Sequence, residues 1–250
     1  MSDNLNDHLN LYDFFGFPDR TQRDGIRQTV DLSNIRLIPI DDPNLRFFNS
    51  FLEQYSSWSY HINNFSSGLG LHFFLLYFHY SQGAIDTIKV EDFQPPRGIH
   101  KVYFDTFAED TALYLISYFD KHLEMFNDLY NLQRQSGKSR NLSRKQIITE
   151  MKKVQSLELI AEEYQKVVEL IEFVKIKAIR DNFVHNKSSS YYGMNVDKKE
   201  TAFGMEYRSF NSKGVSTEEI YNAICILINS YGQMCIKVNS FIKNIVKKEN

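Results

Sequence analysis

Residues 178–186 read Ala-Ile-Arg-Asp-Asn-Phe-Val-His-Asn, and the interpretation of the whole chain starts from this stretch. It contains Arg180, whose guanidinium stays charged and can bind a phosphate through two hydrogen bonds. Five residues later comes His185, whose imidazole exchanges protons near neutral pH. Together the two groups suffice for RNA cleavage, because the ribose 2′-hydroxyl supplies the nucleophile. The alternative is that Arg180 is a surface charge and His185 a polar group at a helix end.

Long helical patterns surround this stretch and predict a mainly α fold, a helical bundle. One helix is predicted from about Phe104 to Leu132, with a single apolar stripe, and another from about Ser156 into the motif. The first stripe consists of Ala112, Leu115, Ile116, Phe119, Leu123, Phe126 and Tyr130. The second consists of Leu157, Ile160, Tyr164, Val167, Val168, Ile171, Val174 and Ala178. Asp120 and Asn127 lie at the edge of the first stripe and either face solvent or find polar partners.

The helix that carries the motif has a second apolar strip on its opposite side, around Arg180. Its members are Phe173, Ile176, Phe183 and Val184. A helix that is apolar on two faces is either central in a bundle or shared with a partner. On an unbroken helix Arg180 and His185 point about 140° apart. Either the helix therefore ends inside the motif, or the two groups meet those of another copy, and we expect this strip to lie between two copies.

The rest of the chain divides at residues 94–98, Gln-Pro-Pro-Arg-Gly, into an aromatic-rich N-terminal extension (residues 1–98) and a helical domain (residues 99–250). In the extension we expect a short β-like run at residues 35–40. A helix pattern opens at residues 42–44, and Gly68 and Gly70 interrupt it.

In the helical domain, alternation around residues 192–207 predicts a small β-hairpin insertion, with residues 197–200 between its strands. Residues 216–219, Ser-Thr-Glu-Glu, form a capping box that opens the last helix.

The net charge of −2 means that RNA contact requires a local basic patch. Residues 134–145 provide one, or else form a solvated linker. The candidate RNA-binding residues are Arg134, Lys138, Arg140, Arg144, Lys145 and Lys187.

Other site classes find little support in the sequence. His61, His72 and His79 lack a recognisable set of further metal ligands, so we expect core or margin roles and no metal or cofactor. Cys225 and Cys235 fit small core residues in a reducing compartment. The acidic, polar start is unlike a signal peptide, and the apolar run at residues 69–80 is too short to cross a bilayer. We therefore expect a cytoplasmic protein without membrane contact.

The motif, flanked by long helices, resembles the Arg-x4-6-His signature of the HEPN superfamily. A polar residue usually follows the arginine there; Asp181 fits, although asparagine is commoner, and the apolar pair at residues 183–184 matches as well. Residues 118–122, Tyr-Phe-Asp-Lys-His, with Asn127, look like the family's earlier long helix, where a polar residue faces the motif. The resemblance covers roughly residues 104–247.

This resemblance implies a metal-independent endoribonuclease, often a toxin or phage-defence effector, that works as a homodimer. Arg180 and His185 would be catalytic, and the orienting residues would be Asp120, Asn127, Asp181 and Asn182. An antitoxin or regulatory protein is a further expected partner. The alternative is a non-catalytic helical module that binds nucleotide, RNA or protein, since family membership does not prove activity.

Overall fold

A computed structural model describes residues 30–42, 49–84, 87–89, 97–137, 141–186, 195–201, 204–210 and 215–249. For the strands and for residues 97–99, 182–186 and 249 it describes the backbone. The helices are α1 (Ser50–Ser81), α2 (Arg97–Tyr130), α3 (Leu132–Gln135), α4 (Arg144–Lys153), α5 (Glu158–Glu169), α6 (Ile171–Asn186) and α7 (Thr217–Glu249). A 3-10 turn, Gln155–Leu157, precedes α5, and the strands are β1 (Thr87–Lys89), β2 (Asn195–Thr201) and β3 (Gly204–Phe210). The fold is mainly helical, as the sequence predicts.

The chain forms two compact units. The first comprises residues 1–29, 71–111 and 181–222, and the second comprises residues 30–70, 112–180 and 223–250. In the first unit, Tyr80 stacks on Tyr221 with ring centroids 4.1 Å apart, and Phe73 stacks on the same ring. The second unit is a helical bundle whose core includes the stripe predicted for α2, with six of its seven members buried. No helix in the described ranges is both long and apolar enough to cross a bilayer.

The last helix is the element that follows its sequence pattern most closely. The backbone N–H of Ser216 donates to Glu219 Oε2 at 3.0 Å, and the N–H of Glu219 donates to Ser216 Oγ at 3.1 Å. This reciprocal pair is the predicted capping box, and it satisfies two amides that the first turn of α7 leaves without helical partners. Cys225 and Cys235 are buried in α7, as expected of small core residues.

The glycines in α1 do not interrupt it, contrary to the prediction, and the small size of Gly68 serves helix packing. A Cβ at Gly68 would lie 2.5 Å from Tyr114 Cε1, so the tyrosine ring rests on the glycine backbone. The run at residues 71–80, which periodicity leaves open between helix and strand, continues α1 to Ser81.

The helix predicted to begin near Ser156 is broken at Leu170, whose ψ of 135° is extended. The predicted stripe is buried before this break, at Leu157, Ile160, Tyr164 and Val167. The extended residue changes the helical register, so the stripe does not continue after it. Ile171 and Val174 are 64% and 59% exposed, whereas Phe173 and Ile176 are buried inside the same chain. The prediction that Phe173 and Ile176 lie between two copies is therefore wrong, because their own chain already covers them.

The β-like run at residues 35–40 is not a strand. Asparagine side chains replace a neighbouring strand: Asn63 accepts from the Leu37 N–H and donates to the Leu37 carbonyl, both at 2.9 Å. Asn239 likewise accepts from the Ile38 N–H and donates to the Arg36 carbonyl. The alternating pattern predicted an extended backbone, but the partners of its polar groups are amide side chains.

The strands belong to the first unit and form an antiparallel sheet in the order β1-β3-β2. Asn195 pairs with Phe210, and Thr201 pairs with Gly204. Residues 197–200, which the sequence placed between two strands, lie within β2, because the chain reverses later, after Thr201. The third strand, β1, was not predicted from the sequence.

Candidate functional site

Arg180 lies on the buried side of α6. By helical periodicity its direction is within about 40° of both Phe173 and Ile176, which are buried. Its side chain is 20% exposed, and its Nη2 atom is 3.7 Å from Oδ2 of Asp120 on α2. The arginine of the motif is therefore held at the margin of the bundle beside a carboxylate.

A second arginine binds the same carboxylate more tightly. Arg144 Nε is 2.5 Å from Asp120 Oδ1, and Arg144 Nη2 is 2.6 Å from Asp120 Oδ2. This is the two-point geometry in which a planar guanidinium fits a carboxylate best. Arg144 was predicted as an RNA contact, and the structure places it in one cluster with Asp120 and Arg180.

Local sequence fixes where Arg144 stands. It is the first residue of α4, and the N–H of the preceding Ser143 donates to Gln146 Oε1 at 3.0 Å, which closes the first turn. The guanidinium lies 5.9 Å from the ring centroid of Phe173, a cation–π contact. Phe173 in turn packs edge-on against Phe119, with centroids 5.1 Å apart. Arg144 thus links α4 to both α2 and α6.

The cluster of Asp120, Arg144 and Arg180 combines two fixed positive charges with one carboxylate, and all three side chains are partly exposed. Its field reaches the core: the pKa of Tyr231 is raised well above its ordinary value by burial and then by Asp120, while Arg144 opposes the shift.

Asn127, predicted to orient the catalytic pair, has another role in the structure. Its carboxamide oxygen accepts a hydrogen bond from the backbone N–H of Gln133 at 3.0 Å. This bond fastens the short α3 to the end of α2. The prediction relied on sequence spacing from Asp120, but seven residues separate the two side chains by roughly 10 Å along a helix.

The remaining candidates are distributed as follows. Asp181 is half-buried in α6, and Arg134 and Lys145 are exposed on α3 and α4. The side chains of Asn182 and His185, and all of Lys138, Arg140 and Lys187, lie outside the described residues, as do the side chains of Phe183 and Val184. The roles proposed for these residues stay predictions.

The backbone of α6 bears directly on the motif, because the helix runs without interruption through Asn186. Of the two arrangements that the sequence left open, the one in which the helix ends inside the motif is therefore wrong. Positions 180 and 185 differ in direction by about 140° on this helix.

A buried polar cluster in the second unit was not predicted. His122 Nδ1 is 2.8 Å from the hydroxyl of Tyr164, and Tyr118 donates to the Ile35 carbonyl at 2.5 Å. Cys235 Sγ lies 2.9 Å from the Tyr118 hydroxyl. Burial lowers the pKa of His122 to about 3 and raises that of the Cys235 thiol to about 12. Both groups are therefore neutral at ordinary pH and serve the core.

The histidines weighed as metal ligands also have other partners. In the first unit His79 is buried and stacks against both Tyr103 and Phe107, and its Nδ1 atom lies 3.0 Å from Nδ1 of His100. His72 Nδ1 lies 3.3 Å from Asp110 Oδ2. Within the part of the chain that the structure describes, no group of three His, Cys, Asp or Glu side chains could hold a metal ion.

A helical bundle with an Arg-x4-His motif on one continuous helix, and a polar residue of an earlier helix beside the arginine, is the arrangement that the resemblance to HEPN domains implies. A scan against protein-family models agrees: residues 58–246 match HEPN_Cthe2314, described as a HEPN-like family. The chain belongs to this HEPN family. The match begins inside α1, so it includes part of the segment predicted as an extension. Searches of curated proteins and of solved structures found no match.

Proposed function

We propose that this HEPN protein is a metal-independent endoribonuclease whose catalytic residues are Arg180 and His185. The observation that supports this most strongly is the cluster of Asp120, Arg144 and Arg180, which holds the motif arginine in a partly exposed site beside a second arginine. The same helix continues through His185 with the family spacing. The class of substrate follows from the chemistry: an arginine and a histidine without metal can cleave RNA, whose 2′-hydroxyl is the nucleophile.

In this proposal His185 exchanges protons with the 2′-hydroxyl or with the leaving 5′-oxygen. The 2′-oxygen attacks phosphorus, the bond to the 5′-oxygen breaks, and a proton ends on the leaving oxygen. Negative charge accumulates on the phosphoryl oxygens meanwhile, and the guanidinium of Arg180 stabilises it. Asp120 orients Arg180, and Asp181 and Asn182 support the pair. Arg134 and Lys145, both exposed, contribute to binding of the RNA backbone.

The active form is a homodimer, because one copy of α6 cannot bring both groups to one phosphate. Positions 180 and 185 point about 140° apart on an uninterrupted helix. The exposed side of that helix carries Ile171 and Val174. A second copy that covers this side can place its own motif against the first. The dimer contact is therefore assigned to Ile171 and Val174, replacing Phe173 and Ile176.

A second function is favoured by one observation: Arg180 is mostly buried and lies beside a carboxylate, as a structural charge would. Under this alternative the chain is a non-catalytic module that binds nucleotide, RNA or a protein. The two functions also imply different partners. A ribonuclease acting in a toxin–antitoxin or phage-defence system would be controlled by an antitoxin or regulatory protein. A non-catalytic module would instead bind a partner protein in order to regulate it.

The assay that separates the two functions incubates purified protein with mixed RNA in excess EDTA. The ribonuclease proposal predicts cleavage in the chelator and none of the matching DNA, which lacks the 2′-hydroxyl. His185→Ala should lower the cleavage rate by about 10²–10⁴-fold. Tyr60→Ala is the control, because Tyr60 is exposed on α1, outside the motif, and its rate should equal that of wild type. Binding of RNA without cleavage would leave the alternative standing.

A further inference from the structure

A surface pocket of the second unit lies between α1 and α2. Its volume is about 430 Å³, in the range of about 300–1,000 Å³ that is usual for small-ligand sites. None of the described side chains that line it carries a fixed charge. These side chains are His61, Asn64 and Phe65 of α1 and Leu113, Tyr114 and Ser117 of α2. The group that this pocket binds is therefore uncharged and mostly apolar.

Three of the lining residues are aromatic and contact one another in a row. The ring centroids are 5.2 Å apart for His61 and Phe65 and 6.2 Å apart for Phe65 and Tyr114, and both pairs are edge-on. In an edge-on pair, the ring that presents its edge keeps both faces free of its neighbour. Phe65 and Tyr114 are half-buried, and the Tyr114 ring is held against the backbone of Gly68. The pocket therefore offers positioned aromatic surface on which another flat ring can stack.

Two uncharged polar groups border the same pocket. Within the part of the chain that the structure describes, neither the Asn64 carboxamide nor the Ser117 hydroxyl has a hydrogen-bond partner. The carboxamide offers donors and an acceptor, and the hydroxyl can act as either. A nucleobase combines a flat ring with donors and acceptors at its edge, and proteins bind bases of single-stranded RNA by aromatic stacking and by hydrogen bonds to that edge. The lining of the pocket therefore matches a nucleobase.

The pocket lies close to the arginine of the motif, within the same unit. Ser117 precedes Asp120 by three residues on α2, so the two positions differ by about 60° in direction and about 4.5 Å along the helix axis. Asp120 is the residue that contacts Arg180. We propose that this pocket binds a nucleobase of the RNA strand whose phosphate meets Arg180. The inference rests on the proposed function for the source of the base, since the lining alone would equally fit the base of a free nucleotide.

The first experiment measures the binding of single-stranded RNA of about ten nucleotides by fluorescence anisotropy. Its 2′-hydroxyls are methylated, so the strand lacks the nucleophile and stays intact during the measurement. Phe65→Ala should weaken binding by about fivefold or more, because a base loses the ring on which it stacks. Tyr60→Ala, at a tyrosine of the same helix that is 73% exposed and outside the pocket, is the matched control and should bind as wild type does. Equal affinities of Phe65→Ala and wild type would overturn the proposal and leave the pocket to an apolar side chain of a partner protein.

Phe65→Leu covers the case in which Phe65→Ala does not fold. Leucine retains most of the apolar volume but has no flat ring, so binding should still weaken by about threefold or more. An affinity for Phe65→Leu that equals that of wild type would count against stacking in this pocket.

The polar edge of the pocket predicts a preference among bases. An asparagine carboxamide can form two hydrogen bonds with adenine, so wild type should bind an all-adenine strand about fivefold or more tighter than an all-uracil strand. Asn64→Ala keeps the aromatic rings, so it should bring the two affinities to within about twofold of each other. A wild type without this preference, or an Asn64→Ala protein that keeps it, would contradict the contact of Asn64 with the base.

A photoreactive thiouracil base in the strand locates the bound base directly. After irradiation, mass spectrometry should find the crosslink on Phe65 or Tyr114, and crosslinks confined to other parts of the chain would overturn the proposal. Free AMP distinguishes the two sources of the base. It should bind at least about tenfold more weakly than the strand, because it lacks the neighbouring phosphates. AMP that binds as tightly as the strand would contradict the RNA source.

Because the binding assay uses RNA that cannot be cleaved, its result is separate from that of the ribonuclease assay. Weakened binding in Phe65→Ala, in a protein that never cleaves unmethylated RNA, keeps the base pocket and removes the ribonuclease. Efficient cleavage by wild type, together with unchanged binding in Phe65→Ala and no crosslink at Phe65 or Tyr114, removes the pocket alone.

Discussion

Nη2 of Arg180 lies 3.7 Å from Oδ2 of Asp120, and the two residues come from helices α6 and α2 of the bundle. Arg144 holds the same carboxylate through two shorter contacts. One carboxylate therefore organises the arginine of the HEPN motif and a second arginine from the segment between the two long helices.

Removal of the charge of Asp120 should destabilise the fold. In Asp120→Asn two guanidiniums lose their shared counterion in a partly buried site, so the free energy of unfolding should fall by about 1–3 kcal/mol in urea denaturation. Glu124→Gln is the matched control on the same helix, because its pair with Lys121 is more exposed. It should lose less than about 1 kcal/mol. Equal losses in the two variants would mean that Asp120 contributes no more than a surface charge.

Two glycines of α1 should respond oppositely to the same substitution. Gly68→Ala places a methyl group 2.5 Å from the Tyr114 ring, and displacing this ring should cost about 1–3 kcal/mol of unfolding free energy. Gly70→Ala meets only Leu32 Cδ1 at 3.8 Å, so the higher helix propensity of alanine should stabilise it by up to about 1 kcal/mol. Thermal unfolding of both variants tests the packing of α1 on α2. A stabilised Gly68→Ala protein would refute the contact.

The buried His122 should make the protein sensitive to acid. Its pKa is lowered by burial from 6.5 to about 3, so below pH 6.5 the unfolded chain binds a proton that the native state excludes. Stability is therefore complete above this pH and falls on acidification, by up to about 1.4 kcal/mol per pH unit for this group. His122→Gln, which cannot be protonated, should reduce the slope of unfolding free energy between pH 6 and 4 by about that amount.

The exposed side of α6 should mediate self-association. Val174→Glu places a charge on a surface that is 59% exposed in one copy, so the monomer should stay folded while the dimer dissociates. Light scattering at micromolar concentration should report a dimer for wild type and a monomer for this variant. Ile226→Glu, at an exposed apolar position of α7, is the matched control and should remain dimeric. A wild-type monomer at this concentration would contradict the composite site. Phe173→Glu, by contrast, should fail to fold, because Phe173 is buried within its own chain.

The helices and their buried faces could be predicted where the signal is local. The α2 stripe and the capping box at Ser216 follow from periodicity and from a four-residue pattern, both of which act within one or two turns. The break at Leu170 could not be predicted, because neither glycine nor proline marks it. That single extended residue reassigns Ile171 and Val174 to the surface and Phe173 and Ile176 to the core. The predicted dimer contact was wrong for this reason.

Only part of the candidate site could be predicted, because the sequence shows local patterns and does not show tertiary contacts. The proximity of Arg180 to Asp120 could be predicted from the motif and from the resemblance of α2, whereas the role of His185 stays a prediction. The partnership of Arg144 with Asp120 joins residues 24 apart through tertiary packing, and sequence shows only a basic stretch that several roles would explain. Asn127 looked equivalent to Asp120 on the helix edge, but its bond to the Gln133 backbone depends on how α3 folds back.

The most direct test of the composite active site is subunit complementation between Arg180→Ala and His185→Ala, co-expressed and assayed for RNA cleavage in EDTA. Each variant alone should be at least about 10²-fold slower than wild type. A mixed dimer should contain one site with an intact Arg180 from one copy and an intact His185 from the other. With random pairing the mixture should recover about a quarter of the wild-type rate. A mixture no faster than the single variants, while wild type cleaves, would contradict the account.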